Sequence, residues 1–309
     1  MSNASKKYLA SLVLFGSNGI VASMIDLPSI FIVLARVTLG AALLAGVVLA
    51  SRRNRANLQA PSHPREALYL LVSGAALGVA WLFLFEAYRY VGVGTASLLF
   101  YCGPVIVMVL SPVLFGTRLT ARKLLGFVAV ICGAFLVVGG GAGGAIQPMG
   151  IFLGAMSAVM YAVMVIFSKK VNFIGGVECS ALQLCGSFSA VAVYLVGCAV
   201  AGTLAAPSAA ELAHLNVGAI LCIGLVNTGL GCFMYFSSMG ELPVTRVAVC
   251  GYLEPLSAVV LSAVLLGEPM SMANVAGACL VLGGALYSEL GDQLVDRLRE
   301  RRHHRLAAA

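Results

Sequence analysis

Arg36, Glu86, Arg89, Arg246 and Glu254 stand inside or at the edges of long apolar runs. An ionisable group at the centre of a membrane helix costs roughly 2.5–3.5 kcal/mol unless it is paired or faces water. Each of these residues therefore needs a partner or a purpose. Glu254, followed by Pro255, offers a counter-charge for a cationic solute or a carboxylate that takes up a proton. Its structural alternative is a bond to Arg36 or to backbone near the proline. Arg36 suits a bidentate carboxylate contact, with snorkelling or a bond to a neighbouring segment as the alternative. Glu86 and Arg89 are spaced i, i+3 and suit a local pair, either structural or part of an outer gate. Arg246 opens the apolar run that holds Glu254.

The aromatic and amide side chains form a second resource. Trp81, Phe85 and Tyr88 recur at i, i+4 and i+7, which is one face of a helix. Tyr101, Tyr161, Tyr235 and Tyr252 lie within apolar runs. Rings around a carboxylate make a stacking or cation–π cage, and packed rings with satisfied hydroxyls are the alternative. Asn18 and Asn227, each beside small or polar neighbours, offer amide hydrogen bonds to a solute without the cost of charge. Pro104 and Pro255 each remove a helical hydrogen bond, so they read as hinges or as static kinks.

Other chemistries lack their residues. The nine cysteines include no C-x-x-C, and His63, His214, His303 and His304 all lie outside the firm apolar runs. Neither a metal site nor a disulfide framework is expected. No G-x-x-x-x-G-K-[ST] loop occurs, so ATP hydrolysis is not expected and no cofactor is implied. Intramembrane catalysis would need Ser with His, or a metal cluster, at matched depth. A channel would show charged rings or a filter loop.

The elements that position these residues are apolar helices. The chain is 61% hydrophobic and 10% charged, with a mean hydropathy of +1.00, which marks an integral membrane protein. About 20 apolar residues make a span. Ten candidates run 8–25, 29–50, 67–88, 94–115, 121–139, 149–168, 179–201, 215–237, 245–266 and 270–288. With the N-terminus inside, 17 of the 19 Lys and Arg residues fall on the cytoplasmic side, as the positive-inside rule requires. Both termini are then cytoplasmic, and the protein sits in the plasma (inner) membrane. The basic excess is topological, so no nucleic-acid partner is expected. Gly74-x-x-x-Gly78 and Gly150-x-x-x-Gly154 read as internal packing faces, and a monomer is favoured over a dimer.

Residues 95–137 align without a gap on 246–288 at an offset of 151, with 12 identities in 43 positions. Tyr101, Pro104, Gly116, Gly126 and Gly133 fall on Tyr252, Pro255, Gly267, Gly277 and Gly284. Glu254 aligns with Gly103, and outside this stretch Arg36 falls roughly on Gln183. The expected domains are 1–139 and 149–288, each of five spans, and a charged cytoplasmic tail, 289–309. An odd number of spans per half inverts the second half, and alternating access follows from exchanging the two conformations.

Gly94-Thr95-Ala96-Ser97 through Gly103-Pro104, Phe115-Gly116-Thr117-Arg118-Leu119-Thr120, Tyr252-Leu253-Glu254-Pro255 and Gly267-Glu268-Pro269 resemble the EamA family of the drug/metabolite transporter superfamily. Phe15-Gly16-Ser17-Asn18 resembles the family's opening motif, with Phe in place of Trp. The resemblance implies ten transmembrane helices and transport, often export, of small metabolites such as amino acids or organic cations. Protons or a counter-transported solute are the expected coupling partners. A channel-like facilitator, and more distantly a membrane enzyme, are the competing readings.

Overall fold

The computed structural model describes residues 3–115, 120–139, 147–204, 206–239, 242, 250–251, 253–268, 270–284 and 286–287. Among them the regular structure is entirely helical. Helical stretches long and apolar enough to cross a bilayer are Ser29–Ala50, Pro64–Val107, Pro148–Ser168, Gly176–Val200 and Val217–Ser238. Shorter apolar helices run Leu124–Leu136, Leu253–Leu265 and Met272–Gly284. Phe135, Val193, Val200 and Val264 are exposed on these helices. Apolar faces of that extent are stable against lipid rather than water, and helices satisfy their own backbone there. The chain is a multi-pass membrane protein.

In the first half, α1 (Asn3–Gly16) and α2 (Asn18–Ser23) are followed by α3 (Ser29–Ala50) and the short α4 (Arg52–Ala56). Then come α5 (Pro64–Phe100), α6 (Gly103–Phe115) and α7 (Ala121–Gly139). Pro64 starts α5 at a position where its missing N–H is not needed. Gly92 interrupts α5 at φ 78° and ψ 165°, a conformation that a side chain would resist. The two expected spans 67–88 and 94–115 meet at that interruption.

In the second half, α8 (Pro148–Ser168), α9 (Gly176–Val200), α10 (Ala209–Ala213) and α11 (Val217–Leu221) lead into a π-helical segment, Cys222–Leu230. It continues as α12 (Gly231–Met239). Two further helices are α13 (Leu253–Leu265) and α14 (Met272–Gly284).

Small residues let the helices approach closely, which supplies packing where lipid removes the hydrophobic drive. Gly74 and Gly78 of α5 face the α9 backbone, and Ser187 Oγ donates to the Gly74 carbonyl at 2.7 Å. Gly154 of α8 packs on Leu99. Both G-x-x-x-G faces are therefore used within the chain.

The α7–α14 seam is reciprocal. A Cβ on Gly133 would lie 2.6 Å from the Gly277 carbonyl oxygen and 2.7 Å from Val281 N. A Cβ on Gly284 would lie 2.8 Å from the Gly126 oxygen and 3.1 Å from Val130 N. Gly133 and Gly284, Gly126 and Gly277, and Val130 and Val281 are each repeat partners at offset 151. Each helix thus meets the other through the same residues, running in opposite directions.

Three helices are broken near their middles. At Ser17, between α1 and α2, the chain turns within the Ser-Asn-Gly stretch. Between α5 and α6, Cys102 N–H moves to the Leu99 carbonyl at 3.0 Å, and Cys102 Sγ reaches the Leu98 oxygen at 3.7 Å. Pro104 lies in the first turn of α6, where the missing N–H costs little, so it starts a helix rather than bending one. The third irregularity is the π segment, where Thr228 Oγ1 donates to the Ile223 carbonyl five residues back at 2.7 Å. Such segments are rare and gather at functional sites.

Candidate functional site

Two polar clusters lie between these broken helices. The first centres on Arg36, on α3. Its side chain is fully buried. Nε donates to Thr228 Oγ1 at 3.0 Å. The guanidinium carbon stands 4.0 Å from the centroid of the Trp81 ring and 5.0 Å from that of Phe85, both from α5. The i, i+4 spacing of Trp81 and Phe85 thus serves to wall a cation. Nη1 and Nη2 have no hydrogen-bond partner among the described residues. Arg36 makes no ion pair there with Glu254, although the two charges act on one another.

Asn18 and Asn227 meet where α1/α2 breaks against the π segment. Asn227 Nδ2 donates to Leu14 O at 2.8 Å, to Ser17 Oγ at 3.0 Å and to Asn18 Oδ1 at 3.2 Å. At the break in the first span the Leu14 carbonyl also accepts from Ser17 Oγ at 2.7 Å and Ser17 N at 3.2 Å, and the amide from the eighth expected span joins them. In this conformation the two amides serve each other.

The second cluster is a group of phenols around Glu254. The Tyr101 hydroxyl and the Glu254 carboxylate are near enough to act on one another. Tyr101 and Tyr161 stand 6.5 Å apart between ring centroids, and Phe100 bridges them at 5.6 and 4.9 Å. Tyr8 and Tyr235 pack at 5.3 Å and share a hydroxyl hydrogen bond. Phe15 closes on Tyr235 at 5.7 Å. Gly16 brings α1 against the backbone of the first turn of α13, since a Cβ there would lie 2.8 Å from the Glu254 carbonyl oxygen. Glu254 itself is half-buried.

A third feature lies on the expected outer side. A cavity of about 370 Å³ is lined by Asp26, Phe85, Tyr88, Arg89, Glu211 and Glu268, among others. Arg89 Nη1 stands 3.4 Å from Glu86 Oε1, in an exposed pair. Glu268 accepts from Val93 N at 2.6 Å and Gly94 N at 2.9 Å, so the α13–α14 turn holds the chain just past the Gly92 interruption. The Ser208 backbone N–H, at 2.6 Å, and the Ser208 hydroxyl hold the Glu211 carboxyl below its usual range.

The structure thus brings together Arg36, Trp81 and Phe85, and separately Tyr101, Tyr161, Tyr235 and Glu254. Glu86 and Arg89 pair at the rim. Arg246 and Tyr252 lie outside the described residues. Tyr8, Thr228 and Glu268 join the site without having been sequence candidates for it. Tyr8 opens the first apolar run, where an aromatic reads as an interface anchor. Thr228 adjoined a candidate amide. Glu268 stood in a Gly-Glu-Pro that reads as a turn. Among the described residues no group of His, Cys, Asp and Glu is arranged to hold a metal ion.

Residues 8–139 and 148–289 each match the model of the EamA-like transporter family. An uncharacterized transporter of Bacillus subtilis (strain 168), YxxF, is 24% identical over 286 residues, covering 92% of this chain and 88% of its own. A probable amino-acid metabolite efflux pump of Salmonella typhimurium is 26% identical over 242 residues, covering 74% and 79%. A crystal structure with 20% identity shares the fold at a TM-score of 0.63, over 96% of this chain and 99% of that one.

Proposed function

The chain belongs to the EamA-like transporter family, and from that premise we propose that it is a secondary transporter exporting a small metabolite, an amino acid or an organic cation, by alternating access. In this reading the protein has ten spans, with both termini cytoplasmic, in the plasma membrane. Residues 1–139 and 149–288 are inverted halves, and residues 289–309 form a cytoplasmic tail. Protons or a counter-solute supply the coupling, and the unit is a monomer.

The reciprocal α7–α14 seam carries the proposal. Antiparallel helices that meet through exchanged repeat partners are related by a two-fold axis perpendicular to both. For helices that cross a bilayer, such an axis lies in the membrane plane. Exchanging the conformations of the two halves then turns an inward-open molecule into an outward-open one of similar energy. The broken helices beside Arg36 and Glu254 support a binding region between the halves, since irregular backbone at membrane depth belongs where it lines a cavity. Glu254 serves as the counter-charge of a cationic group or as the site of a coupling proton. The rings of Tyr101, Tyr161 and Tyr235 enclose it, with Pro104 and Pro255 at the hinges. The Salmonella typhimurium relative named as an amino-acid metabolite efflux pump favours export.

The test is exchange in proteoliposomes loaded with single amino acids or amines. Saturable uptake accelerated by the same solute on the opposite face is the expected result. Flux that neither saturates nor accelerates would make the protein a pore, and no flux for any solute of either class would remove the substrate assignment.

A further inference from the structure

The Arg36 guanidinium is held on two of its features and unused on the third. Thr228 fixes Nε, and Thr228 is itself fixed by its bond to the Ile223 carbonyl. Trp81 covers a face. Stacking uses the face of a guanidinium and leaves its in-plane donors untouched, so the Nη1–Nη2 edge is aimed but unsatisfied. A fully buried cation with bare donors costs several kcal/mol. Holding it in one orientation serves a planar anion that meets that edge with two oxygens.

The orphaned atoms recur at equivalent positions of the repeat. Arg36 is the eighth residue of Ser29–Ala50, and Gln183 the eighth of Gly176–Val200. The buried side-chain atoms left without partners among the described residues are Arg36 Nη1, Arg36 Nη2 and Gln183 Oε1. The two helices touch one turn beyond Arg36, where a Cβ on Gly40 would lie 3.1 Å from Leu184 Cδ1. The Gln183 amide is turned back along α9, with Nε2 3.8 Å from Cys179 Sγ, so it is the open edge of Arg36 that is aimed at a solute.

We propose that Arg36 forms a head-group subsite for a solute carrying a carboxylate, seated end-on across Nη1 and Nη2. The Trp81 and Phe85 rings suit an apolar or aromatic body more than a phosphate. The solute's route to this buried site rests on the transporter reading. Its occupancy does not, because Trp81 is the single tryptophan of the chain and reports directly on the guanidinium beside it.

The experiment titrates purified protein with the standard amino acids, their decarboxylated amines and their deaminated carboxylates, following Trp81 emission. The expected result is a saturable change with at least one amino acid and with its deaminated acid, and none with its amine. Arg36→Lys keeps the charge but loses the fork, and is expected to weaken binding roughly tenfold or more. Thr228→Val weakens it several-fold. No response to any carboxylate, an equal response to the matched amine, or unchanged affinity in both Arg36→Lys and Thr228→Val would overturn the assignment. Exchange in proteoliposomes separates the two readings. Flux that is indifferent to Arg36→Lys sinks the subsite and leaves the transporter. An Arg36-dependent Trp81 response without flux of any solute sinks the transporter and leaves the subsite.

Discussion

At the α7–α14 seam each half presents the same residues, and the contact repeats itself: Gly133 on Gly277, Gly284 on Gly126. In the interior the equivalent positions differ. Arg36 stands where the other half has Gln183, and Glu254 where the other has Gly103. The seam is built from glycines and apolar side chains, Phe127 among them, and the interior carries the buried cation and the carboxylate beside the rings. Duplication supplies a frame that must match itself to close. Chemistry needs a donor on one side and an acceptor on the other, and it can be placed only where the halves are allowed to diverge.

The strongest way to break this comparison is at Glu254. Glu254→Gln keeps the volume and the Tyr101 contact but removes the charge. A hydrogen bond to a charged group is worth about 1.5–3 kcal/mol, so exchange flux is expected to fall roughly ten- to a hundred-fold, with the protein still folded in detergent. Flux at the wild-type level would show that the interior asymmetry carries no chemistry.

The seam predicts a symmetric loss. Gly133→Ala and Gly284→Ala each press a methyl group within 3 Å of a backbone oxygen across the contact. Overpacking of this kind costs about 1–3 kcal/mol. The two variants should lower the thermal unfolding midpoint by similar amounts. Because they load one contact, the double variant should lose less than the sum. A large loss in one and none in the other would deny that the seam treats the halves alike.

Much of the frame was legible in the sequence, because it is written in periodicity and composition. The boundaries 29–50 and 121–139 are those of α3 and α7, since apolar runs and flanking Arg or Pro mark them locally. The interruption between spans 3 and 4 was visible as Gly92-Val93-Gly94. The breaks that build the site were not all so marked. Ser17 and the π segment depend on the bond from Asn227 to the Leu14 carbonyl, a contact across 213 residues. Spacing cannot show such a contact. Pro104 reads from its spacing as a hinge or a kink, but a proline in the first turn of a helix leaves the same local signature. Arg36 could be recognised as costly. That its cost is met on the Trp81 face and at Nε, and left open at the fork, depends on side chains from two other helices.

Glu268 extends the comparison to the outer rim with a smaller effect. It takes two backbone N–H groups at the start of the span-4 helix, while its repeat partner is Thr117, so the two halves again differ. Glu268→Gln replaces one acceptor oxygen by an amide donor facing an N–H. The loss expected is that of a helix cap, about 1 kcal/mol, read as a lower unfolding midpoint with the Arg36 and Glu254 clusters intact. An unchanged midpoint would mean that the turn is held by packing alone.

The smallest effect is expected at Glu86 and Arg89, where charge asymmetry exists without burial. Their side chains are 32% and 62% exposed, and the pair spans 3.4 Å. Exposed pairs contribute about 0–1 kcal/mol, because water and salt screen them and both side chains lose freedom in pairing. Arg89→Ala should leave the unfolding midpoint within about 0.5 kcal/mol of wild type, and flux should stay near the wild-type rate. That outcome sharpens the distinction between charges that hydrocarbon forces into use and charges that water already satisfies. A folded Arg89→Ala variant without flux would instead put working chemistry at the rim, beside Glu211 and Glu268 on the outer cavity. Burial would then no longer mark which departures from the repeat carry function, and the outer cavity would have to be counted with the interior.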